Sequence, residues 1–258
     1  MPIIIYHPGT ALEAVMLRKA NRETAVYLAG GTEDLRLGAP EKDLIDLSAL
    51  GFDTIEDLGD KVRIGARCTL QQIYECELIP AFLREAAHLC ASYVRRCSAT
   101  VGGNLAARRQ DSYLAAAFTA ADAVLTAMTP HGEQETPIGA YLQGSCIRLL
   151  EYITVDKNRT GWVKRFGNTA AGHAAVIAAE SEGVYGLSVS GSPFLYGTDK
   201  PEVPVSASCG CHKEEEAPAP RGSFREQLEA LPFTDDLTGS AEYKKYLAMT
   251  AFAPGGSK

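Results

Sequence analysis

Two glycine pairs carry the residue pattern best suited to bind phosphate. The first lies in Leu28-Ala29-Gly30-Gly31-Thr32-Glu33, and the second, about seventy residues later, lies in Ser98-Ala99-Thr100-Val101-Gly102-Gly103-Asn104. Successive backbone N–H groups in a glycine-rich turn form a concave nest for an anion, and glycine permits both the positive φ and the close approach. Thr32 and Asn104 add side-chain donors. The two turns suit the two phosphates of a pyrophosphate, although each also fits an ordinary tight turn.

Three other kinds of site, a Rossmann or P-loop nucleotide site, a hydrolase serine and a zinc site, have weaker support in the sequence. Neither glycine pair matches the G-x-G-x-x-G of Rossmann domains or the G-x-x-x-x-G-K-S/T of P-loop proteins. Ser145, Ser190 and Ser192 lie in no G-x-S-x-G turn, which disfavours a hydrolase. Cys209-Gly210-Cys211-His212 brings two thiols and an imidazole together, but a tetrahedral zinc site needs a fourth ligand. We therefore predict no metal site.

The composition and the terminal sequence limit which classes of partner and which cellular location we expect. Apolar residues make up 46% and charged residues 22%, close to the average for globular proteins. The net charge of −7 and the lack of a basic stripe argue against nucleic acid and anionic membrane surfaces as partners. The best candidate span, 113–128, is shorter than the roughly 20 residues a bilayer needs and contains Asp122. The N-terminus lacks the basic region of a signal peptide, so we expect a cytoplasmic protein.

Short strands alternate with helices in the elements that position the glycine pairs. A strand at 25–29 leads into the first pair. The second pair, at 101–104, fits neither a helix nor a strand interior and is predicted to be a turn, followed by a helix over 111–121. This alternation predicts an α+β protein of two or more lobes, and the acidic, proline-rich segment 198–222 is predicted to be a mobile loop. Three helix starts carry capping boxes, at Thr10, Thr69 and Ser223.

Five segments occur in the order found in one protein family. They are 29–32 (AGGT), 44–48 (LIDLS), 64–70 (IGARCTL), 79–87 (IPAFLREAA) and 98–105 (SATVGGNL). On the basis of these five ordered segments, the chain resembles the FAD-binding medium subunit of molybdenum hydroxylases such as xanthine dehydrogenase and carbon monoxide dehydrogenase. The resemblance implies a PCMH-type FAD-binding domain of two α/β subdomains, 1–53 and 54–158. A smaller α+β C-terminal domain, 159–258, follows.

The resemblance also implies where FAD binds. In the family the two glycine turns hold the FAD pyrophosphate between the subdomains, and an acidic residue after the second turn contacts the ribose-phosphate portion. Here Asp111 is the candidate, although the segment 106–110 is shorter than its family counterpart and lacks the family's proline. Leu150 is expected near the flavin or adenine, and Lys164 near the isoalloxazine. The remaining predicted cofactor-binding residues lie in the turns: Leu28, Ala29, Gly30, Gly31, Thr32, Glu33, Ser98, Thr100, Gly102, Gly103 and Asn104.

The activity implied by the resemblance is electron transfer. Substrate is hydroxylated at a molybdopterin-containing large subunit, and electrons pass through the [2Fe-2S] clusters of a small subunit to FAD on this chain, then to NAD or another acceptor. Because the flavin carries the chemistry, we predict no catalytic side chain. Two alternatives remain open. One is a stand-alone PCMH-type flavin oxidoreductase, and the other is a flavin-free structural or assembly subunit of a hydroxylase.

Overall fold

Three β-sheets follow one another along the chain. The structure is a computed structural model that describes residues 3–33, 42–144, 148–169, 172–198 and 223–253. The predicted loop beyond residue 198 and the segment from Cys209 to His212 lie outside the described residues.

The first sheet is three-stranded and parallel, with β3 in the centre. The helix α1 begins where expected, because the Thr10 hydroxyl accepts a hydrogen bond from the backbone N–H of Glu13 at 3.2 Å. Ala14 and Val15 on this helix are buried in the small core beneath the sheet. The elements are β1 (Ile5–Tyr6), α1 (Ala11–Ala20), β2 (Ala25–Leu28) and β3 (Asp43–Asp46).

The second sheet has five antiparallel strands in the order β4-β5-β8-β6-β7, and several helices lie between its strands in sequence. Its strands are β4 (Ile55–Asp57), β5 (Lys61–Gly65), β6 (Val124–Thr129), β7 (Gly132–Pro137) and β8 (Leu149–Asp156). Its helices are α2 (Leu70–Glu75), α3 (Ala81–Cys90), α4 (Tyr93–Arg96), α5 (Val101–Ala106), α6 (Tyr113–Ala120) and α7 (Ile138–Gln143). The register shifts between Thr126 and Ala127, which pair with Tyr152 and Leu150, so Glu151 has no partner on β6.

The second glycine pair lies within α5, and the prediction of a non-helical turn is wrong. Thr100 caps this helix, since its hydroxyl accepts from the backbone N–H of Gly103 at 3.1 Å. A Cβ on Gly102 would lie 2.6 Å from the Cβ of Ala66, so glycine lets the helix pack directly on the end of β5. This long-range packing outweighs the poor helix propensity of two glycines.

The third sheet has four antiparallel strands in the order β12-β11-β10-β9. The helix α9 packs on β10, and α8 packs on β12. Lys244 of α9 is fully buried and ion-paired with Asp236 at 2.6 Å. The elements are β9 (Trp162–Phe166), β10 (Val176–Ser181), β11 (Val184–Val189), β12 (Leu195–Thr198), α8 (Phe224–Ala230) and α9 (Ala241–Ala251).

The helix α6 joins the second and third sheets. All of its residues are buried, and it packs against α3 on one side and against β10 and β11 on the other. A helix that is apolar all round is typical of a core element enclosed by neighbours. Within the described parts of the chain, no helix is both long enough and apolar enough to cross a membrane.

Candidate cofactor site

A cavity of about 980 Å³ lies where the three sheets meet. This volume is at the upper end of the range of about 300–1,000 Å³ found for small-molecule and cofactor sites. The walls come from the first glycine turn, the α3–α6 region, the start of β8, and β9 with the loop that follows it. Eleven of the predicted cofactor-binding residues line it: Ala29, Gly30, Gly31, Thr32, Glu33, Thr100, Gly102, Gly103, Asn104, Asp111 and Leu150.

The first glycine turn uses its two glycines for different reasons. A Cβ on Gly30 would lie 1.9 Å from the backbone carbonyl oxygen of Ser98, so the two glycine motifs touch each other here. Gly31 has a φ of +66°, in the left-handed region that favours glycine. The backbone N–H groups of Gly30 and Gly31 donate no hydrogen bond to any described residue. Among the described residues, no acceptor competes with an anion for these two N–H groups.

The second glycine motif contributes an open surface in place of the expected nest of N–H groups. All four N–H groups from Val101 to Asn104 donate within the protein, to the carbonyl oxygens of Cys68, Ala66 and Thr100 and to the Thr100 hydroxyl. Gly102 is buried, whereas Gly103 is exposed. A Cβ on Gly103 would meet only the Thr100 hydroxyl, at 2.8 Å, so the backbone here is bare on its cavity side.

Positive charge is concentrated in the cavity, although the whole chain has a net charge of −7. Among the described residues, the wall contains seven arginines and two carboxylates, those of Glu33 and Asp111. Such a surplus of cations in a low-dielectric cleft attracts an anionic ligand. The arginines of the wall are Arg18, Arg67, Arg95, Arg96, Arg109, Arg148 and Arg165.

Two of these arginines contact the first glycine turn. Arg95 donates to the carbonyl oxygen of Thr32 at 3.0 Å. Arg109 donates to a carboxylate oxygen of Glu33 at 3.1 Å and binds both oxygens of Asp111 at 2.9 Å. Burial opposes ionisation of Asp111, but the hydrogen bonds and charge of Arg109 dominate and hold the pKa of that carboxyl below its usual range. Asp111 is therefore an ionised hydrogen-bond acceptor at the cavity wall.

Lys164 and Arg165 lie on opposite faces of β9. The Lys164 ammonium lies over the Trp162 ring, 4.8 Å from its centroid, and Lys164 is not among the described residues that line the cavity. Arg165 lines the cavity, and its Nε donates to the Tyr113 hydroxyl at 2.7 Å. Successive side chains of a strand alternate between faces, so the predicted lysine and the cavity-lining arginine differ by one position. The alternation of β9 is the signal that could have identified Arg165.

Leu28 and Ser98 also do not line the cavity with the other predicted residues. Leu28 ends β2, and its carbonyl oxygen accepts from the N–H of Leu47 at 3.0 Å. Ser98 supplies the carbonyl oxygen that abuts Gly30. Their contact with the cofactor stays a prediction, and what the structure shows is their contact with Leu47 and with Gly30.

The apolar part of the wall lies near the start of β8. Leu149 and Leu150 are buried, with 3% and 5% of their surface exposed. Leu47 and Phe52 also line this part of the cavity. These side chains suit a flat aromatic ring system next to the more polar region around the glycine motifs.

The comparisons with known proteins identify the family. Residues 2–155 match the family described as the FAD binding domain in molybdopterin dehydrogenase, and this range spans more than half of the chain. The chain therefore belongs to that family. The uncharacterized protein YgfM of Escherichia coli strain K12 is 30% identical over 251 residues, covering 94% of this chain and 90% of its own length. The carbon monoxide dehydrogenase medium chain of Hydrogenophaga pseudoflava is 28% identical over 203 residues, with 70% of each chain covered.

Solved structures share the fold. Carbon monoxide dehydrogenase of Hydrogenophaga pseudoflava, in a form that lacks the Mo-pyranopterin moiety, matches with a TM-score of 0.75 at 20% identity, covering 96% of this chain and 93% of that chain. Quinoline 2-oxidoreductase of Pseudomonas putida 86 matches with a TM-score of 0.73 at 15% identity and the same coverage. The predicted α+β FAD-binding fold and the predicted resemblance to FAD-binding subunits of molybdenum hydroxylases are thereby confirmed.

The cavity wall fits FAD on evidence that is independent of the family. Three residues that line it each have a buried donor with no hydrogen-bond partner among the described residues: the Tyr27 hydroxyl, Arg67 Nε and Arg148 Nε. Leaving such a group unpaired costs about 1–3 kcal/mol. The arginines of the wall supply positive charge for an anionic dinucleotide, and the exposed backbone of Gly103 leaves room for its phosphates.

Proposed function

We propose that this chain is the FAD-binding medium subunit of a molybdenum hydroxylase and passes electrons from the iron–sulfur clusters of a partner subunit to NAD or another acceptor. One observation carries most of the proposal. The two glycine motifs meet where Gly30 abuts the Ser98 carbonyl oxygen, and residues of both motifs line a cavity that is rich in arginine. The family membership and the medium-chain relative support the same assignment.

Different residues around the cavity bind different parts of the cofactor. The N–H groups of Gly30 and Gly31, which no described residue accepts from, would hold the pyrophosphate, and Gly103 would supply the bare surface that lets it approach. The ionised carboxylate of Asp111 accepts hydrogen bonds from ribose hydroxyls. Leu150 and its apolar neighbours exclude water from the ring system.

Bound FAD supplies the redox chemistry of its isoalloxazine ring, which can exchange electrons with one-electron and two-electron partners. The chain itself binds and orients the cofactor and tunes its environment. No side chain is required as a nucleophile or as a general base. We therefore assign no catalytic residue.

The partners follow from the same assignment. A molybdopterin-containing large subunit hydroxylates the substrate, and a small [2Fe-2S] subunit delivers the electrons. The family description names molybdopterin dehydrogenases, and the medium-chain relative belongs to carbon monoxide dehydrogenase. The division into 1–53, 54–158 and 159–258 is part of this proposal.

Two measurements test the proposal. The purified chain is heated, and the released flavin is identified by chromatography, with apo-chain titrated in parallel with FAD and FMN. We expect FAD to be released and FAD to bind more tightly than FMN. A folded, colourless chain that binds neither flavin would favour the structural-subunit alternative.

The second measurement concerns the partners. The chain is co-expressed with neighbouring genes for a molybdenum subunit and an iron–sulfur subunit, and it is then used as bait. We expect both subunits to co-purify, and the isolated chain to show little turnover of substrate. Recovery of the chain alone, with rapid oxidation of a small molecule by it, would favour the stand-alone flavoenzyme.

A further inference from the structure

Arg109 binds carboxylates from two separate parts of the cavity wall. Its Nε and one terminal nitrogen donate to both oxygens of Asp111, each at 2.9 Å. Its other terminal nitrogen donates to Glu33 at 3.1 Å. Glu33 follows the first glycine turn, whereas Arg109 and Asp111 follow the second motif. The guanidinium thus spans the space between the two motifs that face the pyrophosphate in the proposed function.

The two contacts differ in strength. The contact with Asp111 is bidentate, and the Asp111 side chain is only 18% exposed. The contact with Glu33 is single, and the side chains of Arg109 and Glu33 are 34% and 42% exposed. A bidentate, partly buried arginine–carboxylate pair is among the stronger charge-assisted contacts, whereas a single exposed pair contributes little. Of the two carboxylates, Glu33 is therefore the one that Arg109 can release.

We propose that the Glu33 carboxylate competes with the phosphates of the cofactor for Arg109 and does not itself bind the cofactor. This inference rests on the proposed function, because it assumes a dinucleotide in this cavity. Glu33 lies two residues after Gly31 in sequence, and the N–H groups of Gly30 and Gly31, which no described residue accepts from, are the proposed anion donors of the turn. A carboxylate so close to a bound phosphate repels it, whereas the guanidinium attracts it.

The exchange requires little rearrangement of the wall. Arg109 keeps its bidentate contact with Asp111, so only one of its terminal nitrogens changes partner. Glu33 is exposed, so its released carboxylate is hydrated by solvent. The pair therefore holds Arg109 at the cavity before the cofactor arrives and gives way when a stronger anion is present.

The test is the direction of change in FAD affinity for the variant Glu33→Gln. The apo-chain is titrated with FAD, and the dissociation constant is read from quenching of flavin fluorescence. We expect Glu33→Gln to bind FAD about three- to tenfold more tightly, the effect of removing one like charge near an anion at a partly exposed site. Arg109→Gln should bind more weakly. The gain from Glu33→Gln should be smaller in the Arg109→Gln background than in the wild type, because competition for the arginine is then absent and only direct charge repulsion remains.

A matched control separates this local effect from the overall change in net charge. Glu56 forms a similar exposed pair with Arg63, at 3.5 Å, and neither side chain lines the cavity. Glu56→Gln should leave FAD affinity within about twofold of wild type. The thermal unfolding midpoint of each apo variant provides a readout that does not depend on flavin.

The outcomes are distinguishable. Weaker binding by Glu33→Gln would mean that the carboxylate contacts the cofactor, and unchanged binding would mean that it does not compete; either result overturns the inference. A folded wild-type chain that takes up no FAD would instead overturn the proposed function.

Discussion

Replacing Gly103 by valine should remove flavin binding while leaving the fold largely intact. The new Cβ would meet the Thr100 hydroxyl at 2.8 Å, and apart from its chain neighbours and the backbone of its own helix no other described atom lies within 4 Å of it. Its two methyl groups would extend into the space that the second glycine motif leaves open to the cofactor. The change therefore separates the cost to folding from the cost to binding.

The cost to folding follows from the contact with Thr100. Displacing this hydroxyl weakens the N-cap of α5, which costs about 1 kcal/mol. Replacing a helical glycine returns about 0.3–0.5 kcal/mol of propensity. The net loss stays below about 1 kcal/mol, which lowers the unfolding midpoint of a chain of this size by about 2–4 °C. In contrast, blocked phosphate contact should raise the dissociation constant for FAD at least about 30-fold, or roughly 2 kcal/mol.

The assay combines thermal unfolding of the apo-chain with titration by FAD. Gly9→Val serves as a matched control, because a Cβ there meets only a carboxylate oxygen of Glu13, at 3.8 Å, outside the cavity. A folded Gly103→Val chain with a dissociation constant within about threefold of wild type would refute the reasoning, since phosphate could not then approach this backbone.

Three further predictions concern other parts of the chain. Lys244→Met removes the hydrogen bonds to the carbonyl oxygens of Ser190 and Thr234 and the ion pair with Asp236, and it should destabilise the chain by about 1–3 kcal/mol, measured by denaturant unfolding. Burial raises the pKa of Glu151 to about 7, so this carboxyl binds more protons in the folded state, and stability should fall as the pH rises from about 4.5 to 7. Glu151→Gln should remove that decline, and a decline of unchanged size would exclude Glu151 as its source. Arg165→Met should weaken FAD binding about tenfold and Lys164→Met far less, since Arg165 alone of the two lines the cavity; the reverse order in titrations would restore the lysine as the cofactor contact.

Local signals predicted local structure well. Thr69 and Ser223 form the complete capping boxes that their spacing predicts. Thr10 forms only half of one, because Glu13 accepts from the N–H of Gly9 instead of the Thr10 backbone. Each of these contacts depends on residues within four positions of one another, so the sequence contains nearly all the information that determines them.

The contacts that shape the cavity depend on distant parts of the chain. The helix around Gly102 is held by long-range hydrogen bonds. The N–H groups of Val101 and Gly102 donate to the carbonyl oxygens of Cys68 and Ala66, more than thirty residues earlier. Which of Lys164 and Arg165 lines the cavity depends on which face of β9 turns toward Tyr113. The gathering of arginines at one cavity likewise follows from tertiary folding. Spacing along the sequence does not reveal such contacts.

The buried donors of Tyr27, Arg67 and Arg148, which no described residue satisfies, lower the stability of the folded chain. A ligand bound in the cavity adds its binding free energy to that stability, by about 2.7 kcal/mol at a hundredfold excess over the dissociation constant. Newly made chains would then survive proteolysis in proportion to the flavin supply. In a riboflavin auxotroph, the steady-state level of this protein should fall during vitamin starvation before its transcript does.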